Sequence, residues 1–185
     1  MEHALVSHPR MPERAVRAIT ARVSRSPGGV LTIGFALDGA LDRLRIPDSR
    51  PARRGVDLWR HTCFEAFIGR AGASAYHEIN LAPSGAWTVY AFRDYRDGGP
   101  LDDPALAPRT HVRRSGDRLA LDAEIDVERL ASGYALAPLR LGLAVVVEAA
   151  DGTLSYWALR HPPSAPDFHH GDGFAIALET PTAAC

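Results

Sequence analysis

The segment DLWRHTCFEAFI at residues 57–68 and the segment YHEINLAPSGAWTVY at residues 76–90 decide the fold. Polar and apolar side chains alternate in both segments with a period of two, which is typical of β-strands. On a strand over residues 57–68, successive side chains point to opposite faces. Phe64, Ala66 and Ile68 then form the face toward the core, and Trp59 and Glu65 lie together on the other face.

The same alternation extends along the rest of the chain, and long helical periodicity is almost absent. Further strands are predicted over residues 15–24, 30–37, 41–46, 75–81, 86–92, 109–114, 118–125, 139–149, 153–160 and 174–179. Short glycine-containing turns at residues 115–117 and 151–152 indicate two hairpins. One short helix is predicted at residues 126–132, with Asp126 as its cap and Gly133 at its end. The predicted fold class is therefore all-β, an antiparallel β-sandwich with one short connector helix.

The composition excludes several classes of function. The 185 residues carry a formal net charge of −1, so charge does not favour binding to nucleic acid or to an anionic membrane. All 21 basic residues are arginine, and a chain without lysine has no Schiff-base lysine and no phosphate-loop lysine. No apolar stretch is long enough to span a membrane. We expect neither nucleic acid nor membrane as a partner, and the oligomeric state stays open.

Cysteine usage and the first residues predict the compartment and the domain limits. Cys63 and Cys185 are the only cysteines, which makes no disulfide framework and fits a reducing environment. The first twenty residues lack the apolar core of a secretory signal, so we expect a cytoplasmic protein. We predict a flexible segment at residues 1–14, a single domain at residues 15–180 and a tail at residues 181–185.

Three blocks of the sequence together resemble a known family. They are DLWRHTCFEAFI, YHEINLAPSGAWTVY and SYWALRHPPSAPDFHH, at residues 57–68, 76–90 and 155–170. On these blocks the chain resembles the bacterial DOMON-like proteins, which belong to a superfamily shared with the family 9 carbohydrate-binding modules. The resemblance spans residues 17–178 and implies an antiparallel β-sandwich. More distant members of the superfamily bind sugars or haem, so the fold alone does not select a ligand.

The resemblance also implies a binding site. The spacing of Trp59 and Glu65 is similar to that of the aromatic platform and carboxylate of the carbohydrate-binding modules. An indole packs on the apolar face of a sugar ring, and a carboxylate accepts hydrogen bonds from hydroxyls. The alternative for Trp59 is plain packing between strand and loop. We predict a cytoplasmic binding protein for a small sugar-like or polyhydroxylated ligand.

Further residues are candidates for the same site. Glu78 and Asn80 share one face of the next strand, and Glu78 either pairs with an arginine such as Arg93 or lines a polar pocket. Glu148 precedes the turn at residues 151–152 and is either part of the site or an edge carboxylate in solvent. The predicted ligand-binding set is Trp59, Glu65, Glu78, Asn80, Glu148, Trp157, His161, His169 and His170.

The histidines of residues 161–170 leave a second function open. His161, His169 and His170 are ligand types that suit zinc, copper or iron, or a haem iron. Their spacing matches no established ligand motif, so no cofactor is predicted and metal or haem binding is the alternative. An enzyme would pair Glu65 with Glu78 or Glu148 as acid and base. No catalytic motif is present, and a module that binds other proteins through a flat apolar patch is the third alternative.

The loop at residues 161–173 must leave the sheet, because the prolines at positions 162 and 163 cannot continue a ladder of hydrogen bonds. Phe168 is the only large apolar residue in this loop. We predict that Phe168 anchors the loop over one end of the sandwich. The loop then brings one of its last two histidines within reach of Glu65 or Glu148.

Overall fold

The computed structural model describes residues 1–180 as strands joined by turns and short helical segments. The strands are β1 (Glu2–Ser7), β2 (Val16–Arg25), β3 (Val30–Gly39), β4 (Arg53–Arg54), β5 (Cys63–Arg70), β6 (Tyr76–Leu81), β7 (Ala86–Asp94), β8 (Asp97–Pro100), β9 (Arg109–Ser115), β10 (Arg118–Asp126), β11 (Leu139–Glu148), β12 (Leu154–Ala158) and β13 (Ile176–Leu178). The one α-helix within the described residues is α1 (Val127–Leu130). Single 3-10 turns occupy Leu41–Arg43, Leu58–Arg60, Pro104–Leu106 and Gly171–Gly173. Within residues 1–180, no helix is long and apolar enough to cross a membrane.

Two sheets pack face to face and share strand β1. Sheet 1 has the strand order β1-β2-β3-β10-β9, and sheet 2 has the order β7-β6-β5-β11-β12-β1. Strands β4 and β8 pair with β7, and β13 pairs with β11. The pairing is antiparallel throughout residues 1–180 except between β4 and β7. This arrangement confirms the predicted antiparallel β-sandwich with a short connector helix.

Strand β1 corrects the flexible segment that the sequence predicted at residues 1–14. Residues 2–5 pair with β2, and Val6 and Ser7 pair with β12, so β1 joins the two sheets. Leu5 is buried in the core and is the only buried residue of this strand. One buried side chain in six gives little alternation, which explains why the strand was missed. The predicted tail at residues 181–185 lies outside the described residues.

The inner faces of both sheets form the main hydrophobic core. Phe64, Ala66 and Ile68 of β5 face this core as predicted, and the Phe64 ring packs 5.2 Å from the ring of Phe35 in β3. Burying a large apolar side chain of this kind contributes about 1.5–3 kcal/mol. In sheet 1, β10 alternates between buried and more exposed residues, whereas β5, β6 and β11 of sheet 2 are buried on both faces. A second layer of the chain therefore covers the outer face of sheet 2.

Strand β5 begins at Cys63, later than the start predicted at residue 57. Asp57 has a φ of 51°, a left-handed conformation that no strand accommodates. The 3-10 turn Leu58–Arg60 follows it and ends in a hydrogen bond from the His61 N–H to the Leu58 carbonyl. The strand predicted at residues 41–46 does not form: Leu41–Arg43 is a 3-10 turn, and Leu44 makes an isolated bridge to Ala149. The two predicted hairpins and the cap of α1 by Asp126 are confirmed.

Candidate functional site

The outer face of sheet 2, opposite the core, carries two glutamates on neighbouring strands. The register places Glu65 of β5 directly opposite Asn80 of β6, and Glu78 of β6 between Phe67 of β5 and Tyr90 of β7. Because side chains alternate along a strand, all five point away from the core. Glu65 and Glu78 are diagonal neighbours, whose Cα atoms are typically about 7–8 Å apart. Their carboxyl groups therefore share one surface of the sheet.

Residues 161–173, which we term the cover loop, lie over this outer face. The ring of Phe168 packs against Phe67 of β5 and Tyr156 of β12, with ring centroids 6.5 and 5.9 Å apart. The end of the loop packs closely on β11 at Gly142. A Cβ atom added to Gly142 would lie only 3.0 Å from the carbonyl oxygen of Gly173. Phe168 thus anchors the loop, but the loop covers a face of sheet 2 and not an end of the sandwich.

A group of hydrogen bonds ties the cover loop to the turn between β7 and β8. Asp167 accepts hydrogen bonds from the Tyr95 hydroxyl at 2.7 Å and from the Arg96 guanidinium at 2.8 Å. It also accepts one from the backbone N–H of His169 at 3.1 Å. Burial raises the pKa of Asp167, but these hydrogen bonds and the Arg96 charge outweigh burial and leave the pKa below its ordinary value. Asp167 is therefore ionised at neutral pH and holds the loop closed.

A cavity of about 480 Å³ lies between the cover loop and the outer face of sheet 2. Its aromatic walls are Trp59, Tyr90, Phe92, Tyr156 and Phe168. Its polar lining residues are Glu65, Glu78, Arg96 and His169, and Gly98, Gly99, Pro100, Val146 and Pro166 complete it. Trp59 is 44% exposed, with the Arg60 guanidinium 4.9 Å from the centre of its ring. Apolar walls with a few polar groups are typical of small-molecule sites.

Glu65 is the most unusual group at this cavity. It is only 2% exposed, and its Oε1 atom has no hydrogen-bond partner within the described residues. Burial raises the pKa of Glu65 well above its ordinary value, and repulsion from Glu78 raises it further. The carboxyl group therefore keeps its proton to a higher pH than an exposed glutamate. A buried acceptor without a donor costs about 1–3 kcal/mol, which a hydrogen-bond donor from a ligand would offset.

Glu78 lies beside Glu65 in a different environment. Its Oε1 atom accepts a hydrogen bond from Nδ2 of Asn80 at 2.7 Å. Burial raises the pKa of Glu78 to about 7, against the Asn80 hydrogen bond and the charge of Arg96, which both lower it. The two neighbouring carboxyl groups therefore stay partly protonated near neutral pH.

The cover loop places His169 next to Glu78. The Tyr76 hydroxyl oxygen accepts a hydrogen bond from the backbone N–H of Arg96 at 3.1 Å and lies 2.8 Å from Nδ1 of His169. With its own proton the hydroxyl donates to Nδ1, which leaves the ring proton on Nε2, 3.5 Å from Oε2 of Glu78. Burial and the Arg96 charge lower the pKa of His169 to about 4, against the opposing effect of Asp167. The imidazole is therefore neutral at pH 7.

Four of the predicted site residues line the cavity. They are Trp59, Glu65, Glu78 and His169. Trp59 reaches the cavity from the 3-10 turn Leu58–Arg60 instead of the predicted strand. Asn80 does not line the cavity, but it is fully buried and holds Glu78, and its Oδ1 atom has no hydrogen-bond partner within residues 1–180. The participation of these residues in ligand binding stays a prediction.

Trp157 and Glu148 lie outside the cavity, which corrects their predicted place. Trp157 faces the main core, where its Nε1 donates to the Ser155 hydroxyl at 3.2 Å, so its neighbour Tyr156 faces the cavity instead. Glu148 is buried farther along β11. It accepts a hydrogen bond from the Arg45 guanidinium at 2.8 Å, and its other oxygen lies 2.7 Å from Nδ1 of His61. These partners occupy the Glu148 carboxylate.

His161 and His170 also lie outside the cavity lining. Nε2 of His161 lies 2.9 Å from the Val6 carbonyl, and its ring packs edge-on against His8. His170 caps the 3-10 turn Gly171–Gly173, where its Nδ1 accepts a hydrogen bond from the Asp172 N–H at 3.3 Å. Each loop histidine therefore makes its own separate contact, and the three do not come together as one group of metal ligands. Within residues 1–180, no group of three or more His, Cys, Asp or Glu side chains is arranged to hold a metal ion.

Several lining residues were not predicted from the sequence. Tyr90 and Phe92 of β7, Arg96 of the following turn and Tyr156 of β12 all line the cavity. A signal for Tyr90 and Phe92 exists, since two aromatic residues share one face of the strand at residues 86–92. The register that sets Tyr90 opposite Glu78 depends on the tertiary fold. Arg96 gives no local signal, because its role depends on Asp167 of the distant cover loop.

No protein-family model and no curated protein matches the chain. Similar solved structures include a candidate carbohydrate-binding protein from Bacteroides uniformis, with a TM-score of 0.67 and 13% sequence identity over 94% of this chain and 83% of that chain. A family 9 carbohydrate-binding module from Caldicellulosiruptor kristjanssonii, in complex with glucose, has a TM-score of 0.48 and 10% identity over 92% of this chain and 78% of that chain. The first comparison shows a shared β-sandwich fold.

Proposed function

We propose that the protein binds a small sugar-like or polyhydroxylated ligand in the cavity beneath the cover loop. The observation that carries this proposal is the Oε1 atom of Glu65, a buried acceptor without a donor on a residue that lines the cavity. A ligand hydroxyl at the Glu65 carboxyl group supplies a donor that the described residues lack. Such a hydrogen bond contributes about 0.5–1.5 kcal/mol to the neutral carboxyl group and about 1.5–3 kcal/mol to the ionised one.

The aromatic walls support the same class of ligand. Tyr90 and Phe92 from β7, Tyr156 from β12 and Phe168 from the cover loop surround the polar groups. The C–H face of a sugar ring packs on such aromatic rings while its hydroxyls reach the polar groups. The half-exposed Trp59 fits a platform that loses water when a ligand binds. The name of the Bacteroides uniformis protein, a candidate carbohydrate-binding protein, agrees with this proposal.

The arrangement of the cover-loop histidines does not favour the alternative function, a metal or haem protein. The side chains of His161, His169 and His170 make separate contacts with Val6, Tyr76 and Asp172. Membership in the bacterial DOMON-like proteins and a cytoplasmic location stay predictions from the sequence.

Tryptophan fluorescence with calorimetry tests the proposed function. Of the three tryptophans, Trp59 lines the cavity while Trp87 and Trp157 lie in the core. A panel of monosaccharides, disaccharides, sugar phosphates and polyols should include a ligand that changes the emission of Trp59 in a saturable way. The variant Trp59→Ala should lose this signal and bind that ligand, measured by calorimetry, about fivefold or more weakly.

The matched control is Leu136→Ala, which removes an exposed apolar side chain outside the cavity. This variant should bind like the unmodified protein. The proposed function is wrong if no member of the panel binds to the unmodified protein and Trp59→Ala also folds normally.

A further inference from the structure

Glu65 and Glu78 of sheet 2 form the floor of the cavity, and these two acidic residues are not matched by basic residues there. Arg96 is the one guanidinium that lines the cavity, and it forms a salt bridge with Asp167 at 2.8 Å. The nearest basic atom to Glu78 is Nε2 of the neutral His169, 3.5 Å away. Within the described residues, Glu65 forms no salt bridge. Two buried carboxyl groups therefore face the cavity without a cation of their own.

Once Glu65 and Glu78 are ionised, the hydrogen-bonding groups on this floor are mostly acceptors. The Oε1 atom of Glu65 lacks a donor within residues 1–180. The Oε2 atom of Glu78 lies 3.5 Å from Nε2 of His169. An ammonium group has three donors and no acceptor, whereas a hydroxyl has one donor and adds two lone pairs. An ammonium group therefore matches this set of acceptors better than a hydroxyl.

We infer that the ligand carries an ammonium group, bound between Glu65 and Glu78, and that the site takes amino sugars. This inference rests on the proposed function and narrows its ligand class. The attraction between an ammonium and two buried carboxylates is weakly screened, because little water separates the charges. The aromatic faces of Tyr90 and Tyr156 also attract a cation. The rest of the sugar ring keeps the contacts described above.

When an ammonium group binds, it displaces a proton from the carboxyl groups of Glu65 and Glu78. In the ligand-free protein, burial raises the pKa of both Glu65 and Glu78, so the pair retains a proton near neutral pH. A bound ammonium lowers both pKa values by direct attraction. Binding of an amino sugar at pH 7 therefore releases protons from the pair. A neutral sugar carries no charge to lower the two pKa values, so its binding should not release protons in this way.

The other titratable groups around the pair do not supply this proton. They are Cys63, Tyr76, Tyr90, Arg96, Tyr156, Asp167 and His169. Burial raises the pKa of the thiol and of the three phenols above their already high ordinary values. The pKa of Arg96 is also raised, that of Asp167 is lowered, and that of His169 is about 4. None of these protein groups changes charge between pH 6 and pH 8, so any proton that the protein releases comes from Glu65 and Glu78.

Calorimetry on matched sugar pairs tests the inference. The pairs are glucosamine with glucose, galactosamine with galactose and mannosamine with mannose, and the three N-acetyl derivatives are controls that keep the nitrogen without its charge. At pH 7, at least one amino sugar should bind about tenfold more tightly than its parent and its N-acetyl form. Titrations in two buffers of different ionisation enthalpy should show release of about 0.5–1 proton per bound amino sugar.

A variant pair locates the effect. In a double variant that combines Glu65→Gln with Glu78→Gln, the preference for the amino sugar should fall to about twofold or less, because neither residue of the pair can then carry a negative charge. The control Glu148→Gln removes a buried carboxylate outside the cavity and should keep the preference.

The outcomes separate the inference from the proposed function. Equal binding of amino sugars and their neutral parents overturns the inference and leaves the proposed function standing. A preference that persists in the double variant also overturns the inference. If no sugar of either kind binds, the proposed function fails, and the inference fails with it.

Discussion

The Nε2 atom of His169 lies 3.5 Å from the Oε2 atom of Glu78, so a residue of the cover loop contacts a carboxyl group on the face of sheet 2. The same imidazole is fixed on its other side by Tyr76, whose hydroxyl lies 2.8 Å from Nδ1. The cover loop is therefore held by polar contacts at His169 and Asp167 and by the packing of Phe168. Through His169, the cover loop thus lies against one of the two carboxyl groups of the cavity.

The pKa of Glu78 makes the stability of the ligand-free protein depend on pH. This pKa is about 7 in the folded protein and 4.5 ordinarily, so the contribution of Glu78 is complete below pH 4.5 and is lost as the pH rises through 7. Glu65 acts in the same direction. His169 acts in the opposite direction, but only below pH 6.5, because its pKa falls from 6.5 to about 4. We expect the free energy of unfolding in urea to fall between pH 6.5 and pH 8, with about 1 kcal/mol from Glu78.

Glu78→Gln isolates this contribution, because the amide oxygen still accepts the hydrogen bond from Asn80. The fall in stability between pH 6.5 and pH 8 should be smaller in the variant by about 1 kcal/mol. A stability that stays flat or rises over this pH range in the unmodified protein would contradict the assigned environment of Glu78.

Glu65→Gln should stabilise the ligand-free protein at pH 8 while it weakens ligand binding. The amide carries no charge to desolvate, and its N–H group can donate to the partnerless Oδ1 of Asn80 on the opposing strand. We expect a gain of about 1–3 kcal/mol in urea unfolding at pH 8 and a smaller gain at pH 5. Glu148→Gln is the control, and it should lose stability, since its carboxylate is paired with Arg45 and His61. Equal losses in both variants would show that Glu65 has a partner.

Phe168→Ala should lower ligand affinity more than it lowers thermal stability. The ring is half-buried, so its removal should cost about 1–2 kcal/mol of stability and shift the melting temperature by only a few degrees. The cover loop loses its anchor on Phe67 and Tyr156, and affinity should fall about tenfold or more.

Phe174→Ala is the matched control for this loop variant. Its ring packs on Phe67 and Tyr76 but does not line the cavity. Thermal melting and calorimetry should give a similar loss of stability with affinity changed less than about threefold. Equal losses of affinity in the two variants would rule out a specific role for Phe168.

Leu5→Ala tests whether β1 is part of the sandwich. Leu5 is 4% exposed and its neighbour Val6 is 51% exposed. We expect Leu5→Ala to cost about 2–4 kcal/mol in urea unfolding and Val6→Ala to cost less than about 1 kcal/mol. If the two substitutions had the same small effect, residues 1–14 would be a flexible segment after all.

The alternation of the sequence predicted most of the sandwich because strand periodicity and glycine turns are local properties. The faces of residues 63–68 and the parity of Glu78 and Asn80 were predicted correctly for this reason. Glu78 stood out because a carboxylate in mid-strand needs either a partner or a polar cavity, whereas Glu65 was implied by the resemblance through its spacing from Trp59. Strand β1 was missed because only Leu5 is buried in it.

The remaining site depended on contacts that no local pattern contains. Sheet 2 is buried on both faces, so alternation placed Tyr156 and Trp157 on opposite faces without showing which face is the core. The pairing of Glu148 with Arg45 and His61 could not be predicted because these residues are distant in sequence. Glu148 therefore stayed among the candidates for the site. His161 was grouped with the other loop histidines because its contact with Val6 spans most of the chain.

Carbon-13 NMR of the glutamate side chains shows directly whether a sugar binds beneath the cover loop. With the tightest-binding sugar of the panel added to saturation, we expect the Cδ resonances of Glu65 and Glu78 to shift. We also expect nuclear Overhauser contacts between sugar ring protons and the aromatic protons of Tyr156 or Phe168. The Cδ resonance of Glu148, outside the cavity, should not move. A bound sugar that perturbs Glu148 or the outer face of sheet 1, and leaves Glu65 and Glu78 unchanged, would show that the binding site lies elsewhere.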